Sequence, residues 1–430
     1  MTVYKDVICP FCGCLCDDIE VMVENNEVVK TRNACAISQS KFMNHKRNRL
    51  EAPLIDNKPV PLDEAIEESA KILASSVRPL IYGLSSTECT AVGRAVELAE
   101  LVGGIVDNTS SVCHGPTIIA LQGVGEIKTT LGEIKNRANV IVFWGSNPSE
   151  SHLRHLLRYS GVVKGLFTQE GRKGRYIVAV DIRETKMSKM ADLFLKIEPN
   201  SDYELLSALR MVVRGGKLQA ESVAGVPAGQ ILELANKMKS AKVGIIFYGL
   251  GLTQSDGRHM NIDAAVGLVS DLTSSTKFLL LPMRGHYNVA GANTVTTWQT
   301  GYPYAVDFSR GYPRYNPGEY SSVDVLARGE ADAAMIIASD PAATFPVAAA
   351  KQLAKIPVIC LDHKVNMTTM LSRVAIPVAT AGVEVEGTAY RMDGIPLRLK
   401  KVIEPLEGIS SDAEVLQMII ERVSQLRGER

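Results

Sequence analysis

Short apolar runs alternate with longer stretches of helical pattern from about residue 80 onward. Continuous apolar strands separated by helices are typical of parallel sheets covered on both faces. The pattern therefore predicts a doubly wound α/β protein. The predicted strands cover residues 80–82, 140–144, 176–180, 193–197, 243–248, 278–281, 333–337, 358–361 and 374–376.

Two of these stretches form a loose internal repeat. Each copy reads strand, turn, helix, strand, Asp, Met-x-x-Met and a third apolar run. The turns are Gly-Ser-Asn-Pro at 145–148 and Ala-Ser-Asp-Pro at 338–341, and the first copy carries a Gly-rich and basic insertion at 161–175. A duplicated nucleotide-type site implies two similar ligands or one ligand with two similar ends. The alternative is ordinary recurrence of βαβ units.

Several predicted strands end in a short polar or Gly-containing turn. Ligands of open α/β sheets bind beyond the carboxyl ends of the strands, where loop amides and helix N-termini accept anions. The alternative is that strand-to-helix turns need Gly, Asn, Asp and Pro for geometry alone. The candidate ligand-binding residues in these turns are Gly145, Asn147, Asp181, Arg183, Gly249, Ser339, Asp340 and Asp362.

The cysteines are concentrated at the N-terminus: five of the eight lie in the first 35 residues. Cys9, Cys12, Cys16 and Cys35 supply four thiolates, which can hold zinc or a [4Fe–4S] cluster. A compact trio with one remote partner favours the cluster, because a zinc ribbon would more naturally show two Cys-x2-Cys knuckles. Cys14 is left over, and a disulfide is a poor interpretation because cytosolic thiols stay reduced. Residues 19–29 behind the knuckle predict a β-hairpin turning at 25–26.

Two further segments carry candidate chemistry. Cys113 and His114 stand together at a turn rich in small residues, where a thiolate could meet a metal or substrate beside an acid/base group. The alternative is a buried structural Cys with a surface His. Arg284 leaves a strand end into a Gly- and Asn-rich loop that begins with Gly285, which suits recognition of an anion or a CO2-like group. The irregular stretch continues to Glu319, and a loop of nearly forty residues is interpreted as functional or as a partner-docking surface.

Composition narrows the class of protein. The 430 residues include 47 basic and 47 acidic side chains, so the net charge of zero argues against nucleic acid as a partner. The length excludes a disulfide-built miniprotein and is enough for about three domains. No apolar run approaches the roughly 20 residues of a membrane span, and the N-terminus has no signal-peptide pattern. We therefore expect a cytoplasmic protein without a membrane span.

Together these motifs resemble the molybdopterin (tungstopterin) oxidoreductase family, and most closely its formylmethanofuran dehydrogenase B subunits. The resemblance covers essentially the whole chain. It rests on Cys-Pro-Phe-Cys-Gly-Cys-Leu-Cys at 9–16, Asn-Ala-Cys at 33–35, Val-Cys-His-Gly-Pro at 112–116, Trp-Gly-Ser-Asn-Pro at 144–148, Val-Asp-Ile-Arg at 180–183, Pro-Met-Arg-Gly at 282–285, Trp-Gln-Thr-Gly-Tyr-Pro at 298–303 and Arg-Gly-Tyr-Pro-Arg-Tyr-Asn-Pro-Gly at 310–318.

The resemblance implies a [4Fe–4S] cluster on the four N-terminal cysteines, and tungsten or molybdenum bound by Cys113 and by two molybdopterin guanine dinucleotides. His114 and Arg284 would flank the metal as catalytic residues. The implied reaction is reversible reduction of CO2 to formate, in an anaerobic complex whose amidohydrolase subunit then condenses formate with methanofuran. The implied residues for the dinucleotides are the turn residues named above together with Gly285.

The chain departs from the wider family at two points. Formate dehydrogenases have a Lys two residues after the fourth cluster cysteine, where this chain has Ile37, so Lys41 is the nearest basic residue. Single-chain relatives continue into a C-terminal β-barrel, whereas this chain runs to one short helix with a Ser411–Glu414 capping box. We therefore predict a separate small β-barrel pterin-binding subunit and ferredoxin-like electron-transfer subunits as partners. The expected domains are 1–50 (iron–sulfur), 51–130 with 243–325 (catalytic), 131–242 (first dinucleotide), 326–405 (second dinucleotide) and 406–430 (C-terminal helix).

Other functions stay open at this point. One is a formate dehydrogenase or another pterin oxidoreductase, and another is a non-catalytic electron-relay or scaffold subunit. Among the other cysteines, Cys89 and Cys360 are expected to be small core residues. His152 and His155, three apart on a predicted helix, are expected to be packing or surface residues. The thiolate set does not distinguish tungsten from molybdenum.

Overall fold

The apolar runs form two separate parallel sheets. The structure is a computed structural model that describes residues 1–428. Contacts divide the chain into two units: the first takes residues 1–112, 286–391 and the chain from 396 onward, and the second takes residues 113–285 with 392–395. Both units have the mixed α/β architecture expected from the sequence.

The second unit is built on a five-stranded sheet in which all neighbours are parallel. In spatial order its strands are Leu193–Lys196, Tyr176–Asp181, Val140–Trp144, Val243–Tyr248 and Lys277–Pro282. The third and fourth strands are buried along their whole length, because helices and loops cover the sheet on both faces. The α-helices are Gly115–Val124, Leu131–Arg137, Pro148–Ser151, His155–Arg158, Lys186–Met190, Asp202–Val213, Ala228–Lys239, Leu250–Thr253 and His259–Leu272. A 3-10 turn covers Gly171–Gly174, and a small hairpin pairs Ser222–Val223 with Val226–Pro227.

The first unit contains a nine-stranded sheet with five parallel strands at its centre and antiparallel strands at both edges. In spatial order the strands are Arg314–Tyr315, Val306–Asp307, Ile105–Asn108, Pro79–Gly83, Ala333–Ile337, Val358–Asp362, Val374–Pro377, Leu54–Ile55 and Lys58–Pro59. Its α-helices are Ala36–Met43, Leu62–Ser75, Cys89–Val102, Val289–Thr300, Ser322–Ala327, Pro341–Thr344, Val347–Leu353, Met367–Leu371 and Asp412–Arg427. A 3-10 turn covers Thr109–Val112, and a second hairpin pairs Gly387–Tyr390 with Pro396–Leu399.

The N-terminal segment of the first unit is a three-stranded antiparallel sheet of Thr2–Val7, Ile19–Glu24 and Glu27–Arg32. The predicted hairpin is confirmed: Asn25 and Asn26 form its turn with positive φ angles of 49° and 58°. Two successive positive φ angles match the right-handed twist of the flanking strands, and Asn tolerates them better than most residues do. The cysteine knuckle at 9–16 connects the first two strands.

The internal repeat is present as two copies of the same βαβαβ unit. In each copy the first strand is followed by a short helix that begins with Pro and by a second helix, then by a second parallel strand, a further short helix and a third parallel strand. The further short helix begins with a capping box in both copies, on Thr185 with Ser188 and on Asn366 with Thr369. The same local hydrogen bonds therefore recur at corresponding positions.

The domain grouping differs from the one expected. The predicted domain of 51–130 with 243–325 is divided between the units: 51–112 and 286–325 lie in the first unit, whereas 113–130 and 243–285 lie in the second, where strand Val243–Tyr248 pairs with Val140–Trp144. Residues 326–405 do not form a separate domain, because strand Ala333–Ile337 pairs with Pro79–Gly83. The sequence pattern did not predict these pairings, because the paired strands lie far apart in the chain and are joined by long crossover connections.

Two local predictions also need correction. The irregular stretch from 284 onward contains the regular helix Val289–Thr300, although its Gly, Asn and Thr residues are weak helix formers. Threonine hydroxyls along this helix donate to carbonyls four residues earlier, as Thr296 does to Ala292. The helix predicted to contain both His152 and His155 covers only His155–Arg158, and His152 lies between it and another short helix, Pro148–Ser151.

The C-terminal helix Asp412–Arg427 begins at the predicted capping box, in which Ser411 Oγ accepts from the Glu414 amide at 3.2 Å. Its apolar face packs against Leu62–Ser75 and Cys89–Val102 within the first unit. Within residues 1–428 we found no helix with the length and apolar character needed to cross a bilayer.

Candidate functional site

The four predicted cluster cysteines lie on two adjoining segments of the first unit. The knuckle is closed by two backbone hydrogen bonds, Cys9 N to Cys16 O at 2.9 Å and Leu15 N to Cys12 O at 3.1 Å. Cys35 is the N-cap of helix Ala36–Met43, where its Sγ accepts from Ser38 N at 3.4 Å. Cys9 Sγ donates to Ser38 Oγ at 3.2 Å. Ser38 thus stands between the knuckle and its remote partner.

The chemistry of this donor set fits an iron–sulfur cluster. Burial raises the pKa of the Cys9 thiol, and the neighbouring Cys12 and Cys16 raise it further because thiolates repel one another. A cationic iron centre removes this penalty, since thiolates are the ligands that such clusters use. Within residues 1–428, no three His, Cys, Asp or Glu side chains are arranged around a single ion position.

Two side chains modify this knuckle. Cys14, for which the sequence offered no role, donates a hydrogen bond to Cys12; this lowers the pKa of Cys12 and raises that of Cys14. Lys41 lies over the Phe11 ring at 5.4 Å, and its charge lowers the pKa of Cys12 to a smaller extent. Lys41 is therefore placed beside the knuckle, as expected for the nearest basic residue.

Cys113 immediately precedes helix Gly115–Val124 in the second unit and is half-buried. Its carbonyl accepts from Thr253 Oγ1 and Gln254 Nε2, both at 3.0 Å. Burial raises the pKa of the thiol to about 11, and the positive charge of Arg284 opposes the shift. The structure therefore brings Cys113 and Arg284 into one electrostatic neighbourhood.

His114 is fully buried, so it is not the surface histidine of the alternative interpretation. Its Nδ1 lies 3.3 Å from Thr117 Oγ1, and its ring meets Tyr248 edge-on at 6.1 Å. Burial and, next, the charge of Arg284 lower its pKa to about 3. The imidazole is consequently neutral at physiological pH.

Arg284 follows strand Lys277–Pro282, and its burial lowers the pKa of the guanidinium while Glu126 opposes this. Its carbonyl accepts from His152 Nε2 at 2.9 Å, and Ser151 Oγ lies 2.8 Å from the other ring nitrogen of that histidine. His152 is buried, as expected of a packing residue. Its contact with Arg284 joins segments 132 positions apart, and no sequence signal indicated it.

A cavity of about 390 Å³ lies at the carboxyl end of the same sheet. Four predicted residues line it together: Gly145, Asn147, Asp181 and Arg183. The cavity is further lined by Thr185, Asn200, Asp202, Gly251, Gln254 and Ser255. Because Gln254 also donates to the Cys113 carbonyl, the cavity wall is connected to the Cys113 turn.

Two details of this cavity fit a large polar ligand. Gly145 has a φ of +53°, and a Cβ there would lie 2.7 Å from Gly251 Cα. The backbones of the two turns therefore pack directly against each other, which a side chain at Gly145 would prevent. Asn147 lines the cavity, and its side-chain Nδ2 is buried without a hydrogen-bond partner. A buried amide of this kind normally has an acceptor.

The other predicted turn residues have structural contacts. Gly249 N donates to Trp144 O at 3.0 Å and supports the cavity turn from behind, while Gly285 faces open space. In the second copy of the repeat, Asp340 Oδ1 accepts from Thr368 N at 2.9 Å and from Thr368 Oγ1 at 2.7 Å. Asp362 likewise binds Lys364 N and Asn366 Nδ2, each at 3.0 Å. Ser339, between these groups, is half-buried.

Comparison with solved structures supports the fold. A chain of the formyltransferase/hydrolase complex from Methylorubrum extorquens, in complex with methylofuran, is similar with a TM-score of 0.73 and 24% identity, over 88% of this chain and 100% of that one. Acetylene hydratase from Pelobacter acetylenicus is similar with a TM-score of 0.74 and 14% identity, over 98% of this chain and 69% of that one. These likenesses concern the fold.

Comparison of sequences is more specific. No family model matches the chain. It is 53% identical to the B subunit of tungsten-containing formylmethanofuran dehydrogenase 2 from Methanocaldococcus jannaschii over 99% of both chains, and 51% identical to the protein of that name from Methanococcus maripaludis over 99% of this chain and 100% of that one. Formate dehydrogenase H of Escherichia coli is 25% identical over 97% of this chain and 68% of its own length. The chain therefore belongs to the family of formylmethanofuran dehydrogenase B subunits, which are oxidoreductases.

Proposed function

We propose that this chain is the catalytic subunit that reversibly reduces CO2 to formate, in the first step of methanogenesis from CO2. The proposal rests on one observation: Cys113, His114 and Arg284 lie close enough in the second unit for the charge of Arg284 to affect the other two side chains. Tyr248 and Glu126 are their neighbours. A relay or scaffold subunit would need the cysteine knuckle and would have no use for this second set.

The cofactors follow from the donor residues. Cys113 would hold tungsten or molybdenum, the cavity at Gly145 and Asn147 would hold a pterin guanine dinucleotide, and the second copy of the repeat would hold another. Such a metal supplies a two-electron redox centre, while a [4Fe–4S] cluster on the N-terminal thiolates passes electrons singly. The names of the two near relatives favour tungsten.

Arg284 would bind the substrate. Reduction of CO2 to formate consumes two electrons and one proton, and the product is a carboxylate. A guanidinium offers parallel N–H donors to its two oxygens, and these bonds strengthen as negative charge develops. Burial makes them stronger than they would be in water. Glu126 balances the charge of Arg284 when no substrate is bound.

His114 would handle the proton. Its neutral imidazole can hold one proton at Nε2 and accept at Nδ1, or the reverse, and Thr117 Oγ1 can serve either tautomer at Nδ1. A pKa near 3 means that this residue does not add a second positive charge beside Arg284. The pair therefore offers one cation and one neutral proton carrier.

The proposal includes partner subunits. The sequence relatives of this chain are named as subunits, and the structural relative from Methylorubrum extorquens belongs to a multi-subunit complex. We propose a small β-barrel subunit that completes pterin binding, an amidohydrolase subunit that consumes formate, and ferredoxin-like subunits that deliver electrons.

The test is cofactor analysis of the anaerobically purified complex alongside a Cys113→Ala variant. We expect one group-6 metal, about four iron atoms and two guanine nucleotides per chain, with formate oxidation by a viologen dye abolished in the variant. Cys89→Ala is the matched control and should keep the metal and the activity. Zinc without iron would overturn the proposal, and unchanged activity in Cys113→Ala would remove Cys113 from the site.

A further inference from the structure

The insertion of the first repeat copy forms a rigid turn on the surface of the second unit. Leu166 N donates to Asn136 Oδ1 at 2.9 Å and Phe167 N donates to Asn136 O at 3.0 Å. Gly165 and Thr168 form an antiparallel bridge across the turn, and a Cβ on Gly165 would lie 2.0 Å from Lys135 O. The backbone of this turn is therefore fixed on helix Leu131–Arg137 and its C-terminal end.

The two residues at the tip of this turn are large, apolar and exposed. Leu166 is 66% exposed and Phe167 is 62% exposed, and Arg137 lies over the Phe167 ring at 4.5 Å. Burial of these side chains against a partner would be favourable, because it removes apolar surface from water. A fixed backbone presenting adjacent apolar groups to water is typical of a binding surface rather than of a mobile loop.

A basic cavity adjoins the turn. It has a volume of about 750 Å³, and among the described residues its lining includes the cations Arg172, Lys173, Arg175 and Lys237 and the carboxylate of Asp192, which Arg172 binds at 2.8 Å. Arg175 connects cavity and turn, because its Nη2 donates to Thr168 Oγ1 at 3.0 Å. The four lining cations outnumber the carboxylates of Asp192 and of Glu233, which accepts from Tyr176 at 2.6 Å, so the cavity is net positive in a chain whose net charge is zero.

This region lies away from the ligand cavity of the same sheet. Asn139, Val140 and Tyr176 line the basic cavity at the amino ends of their strands, whereas the Gly145 and Asp181 cavity lies at the carboxyl ends. Ligand binding at the carboxyl edge therefore does not explain the exposed apolar pair or the basic residues.

We propose that Leu166, Phe167, Arg172, Lys173 and Lys237, here called the insertion face, dock another protein subunit of the complex. The apolar pair requires a pocket on the partner, and the adjoining cations require Asp or Glu beside that pocket. The partner is therefore an acidic protein surface. This inference rests on the proposed assembly but not on the proposed reaction.

The first test measures assembly of the whole complex. Phe167→Asp and the pair Lys173→Glu with Lys237→Glu change exposed side chains and should not prevent folding. By native mass spectrometry we expect the fraction of chains carrying the full set of subunits to fall at least about tenfold in each variant. Val347→Asp, which alters a valine that is 68% exposed on the first unit, is the matched control and should assemble normally.

The second test identifies the partner. A photo-crosslinking amino acid at Leu166 of the assembled complex should capture an Asp- or Glu-rich peptide of a different subunit, and docking of Lys173→Glu should depend less on salt concentration than docking of the parent. Crosslinking to a second copy of this chain, binding of the purified chain to anionic lipid vesicles through Phe167, or normal assembly of all variants would overturn the proposal. Dye-linked formate oxidation, measured in the same samples, reports separately on the proposed reaction.

Discussion

Arg284 is positioned through its backbone as well as through its side chain. The loop that carries it leaves a strand end, and His152 fixes its carbonyl from the neighbouring helical segment. Burial lowers the pKa of His152, and the hydrogen bond to the Arg284 carbonyl opposes this only in part. The imidazole is therefore neutral and donates without adding charge. We regard His152 as a positioning residue for Arg284.

His152→Ala should lower the rate of formate oxidation about 10–100-fold, the usual cost of removing a group that orients an active residue. The KM for formate should rise as well, because Arg284 is the proposed substrate-binding group. His152→Gln, which keeps a donor, should restore part of both values. Steady-state kinetics of the purified complex measure this. His259→Ala, at an exposed helix start, is the control, and an unchanged KM in His152→Ala would contradict the assignment.

At the scale of single elements, the strands were the most predictable feature. The predicted ranges 140–144, 243–248 and 333–337 coincide with observed strands, because an uninterrupted apolar run has few other solutions once it must be buried on both faces. Helix Val289–Thr300 was missed for the opposite reason. Its Thr hydroxyls are satisfied by carbonyls four residues earlier, and the helix is held by packing on Cys89–Val102, which its composition does not reveal.

The candidate site was predictable in part. Cys113, His114 and Arg284 were singled out in their turns and were given their roles by the family resemblance, and the structure brings them together. Glu126 and His152 were not found as partners of Arg284, because each reaches it through tertiary contacts between distant segments. The grouping of strands into sheets failed for the same reason.

A substitution at Gly145 tests whether the cavity that this residue lines binds a guanine nucleotide. Gly145→Ala would place a methyl group 2.7 Å from Gly251 Cα, so the turn must shift and the cavity must narrow. We expect the guanine nucleotide content of the purified complex to fall from two per chain toward one, with a loss of about 1–3 kcal/mol in stability. Gly229→Ala, which meets open space within a helix, is the control. Full nucleotide content in Gly145→Ala would contradict the assignment of this cavity.

At the scale of the whole molecule, a buried ion pair joins the N-terminal segment to the rest of the first unit. Arg49 Nη2 lies 3.1 Å from Glu384 Oε2, and their side chains are 1% and 2% exposed. Arg49 also donates to Thr380 Oγ1 at 3.2 Å. The segment that carries the cysteine knuckle is thus anchored by charge as well as by apolar contact.

Glu384→Leu should lower the free energy of unfolding by about 3–5 kcal/mol, because it leaves the Arg49 charge buried and unpaired. The double variant Arg49→Met, Glu384→Leu should recover most of that loss. Urea denaturation of both proteins measures the difference. Equal stability of the single and double variants would show that the Arg49 charge does not need its partner.

A second buried carboxyl makes stability depend on pH. Burial raises the pKa of Asp412 to about 7, although the Thr87 hydroxyl donates to it. Between about pH 4 and 7 the folded protein keeps a proton that the unfolded chain loses, so the contribution of this group to stability falls as pH rises through that window. Asp412→Asn should therefore gain stability relative to the parent as pH rises from about 4 to 7 in urea denaturation, and the difference should level off above that window. A constant difference between the two proteins would disprove the shift.

The two repeat copies have different side chains at the residue that precedes their first short helix, which is Asn147 in one copy and Asp340 in the other. Asn147 has φ −119° and ψ 79°, and Asp340 has φ −122° and ψ 69°, so the backbone is almost the same. The side chains differ by one nitrogen in place of one oxygen. That exchange leaves the amide nitrogen of Asn147 without a partner at the ligand cavity, whereas the carboxylate of Asp340 accepts a hydrogen bond from Thr368. A duplicated scaffold can thus acquire two chemically distinct sites by a change of one atom, without any new fold.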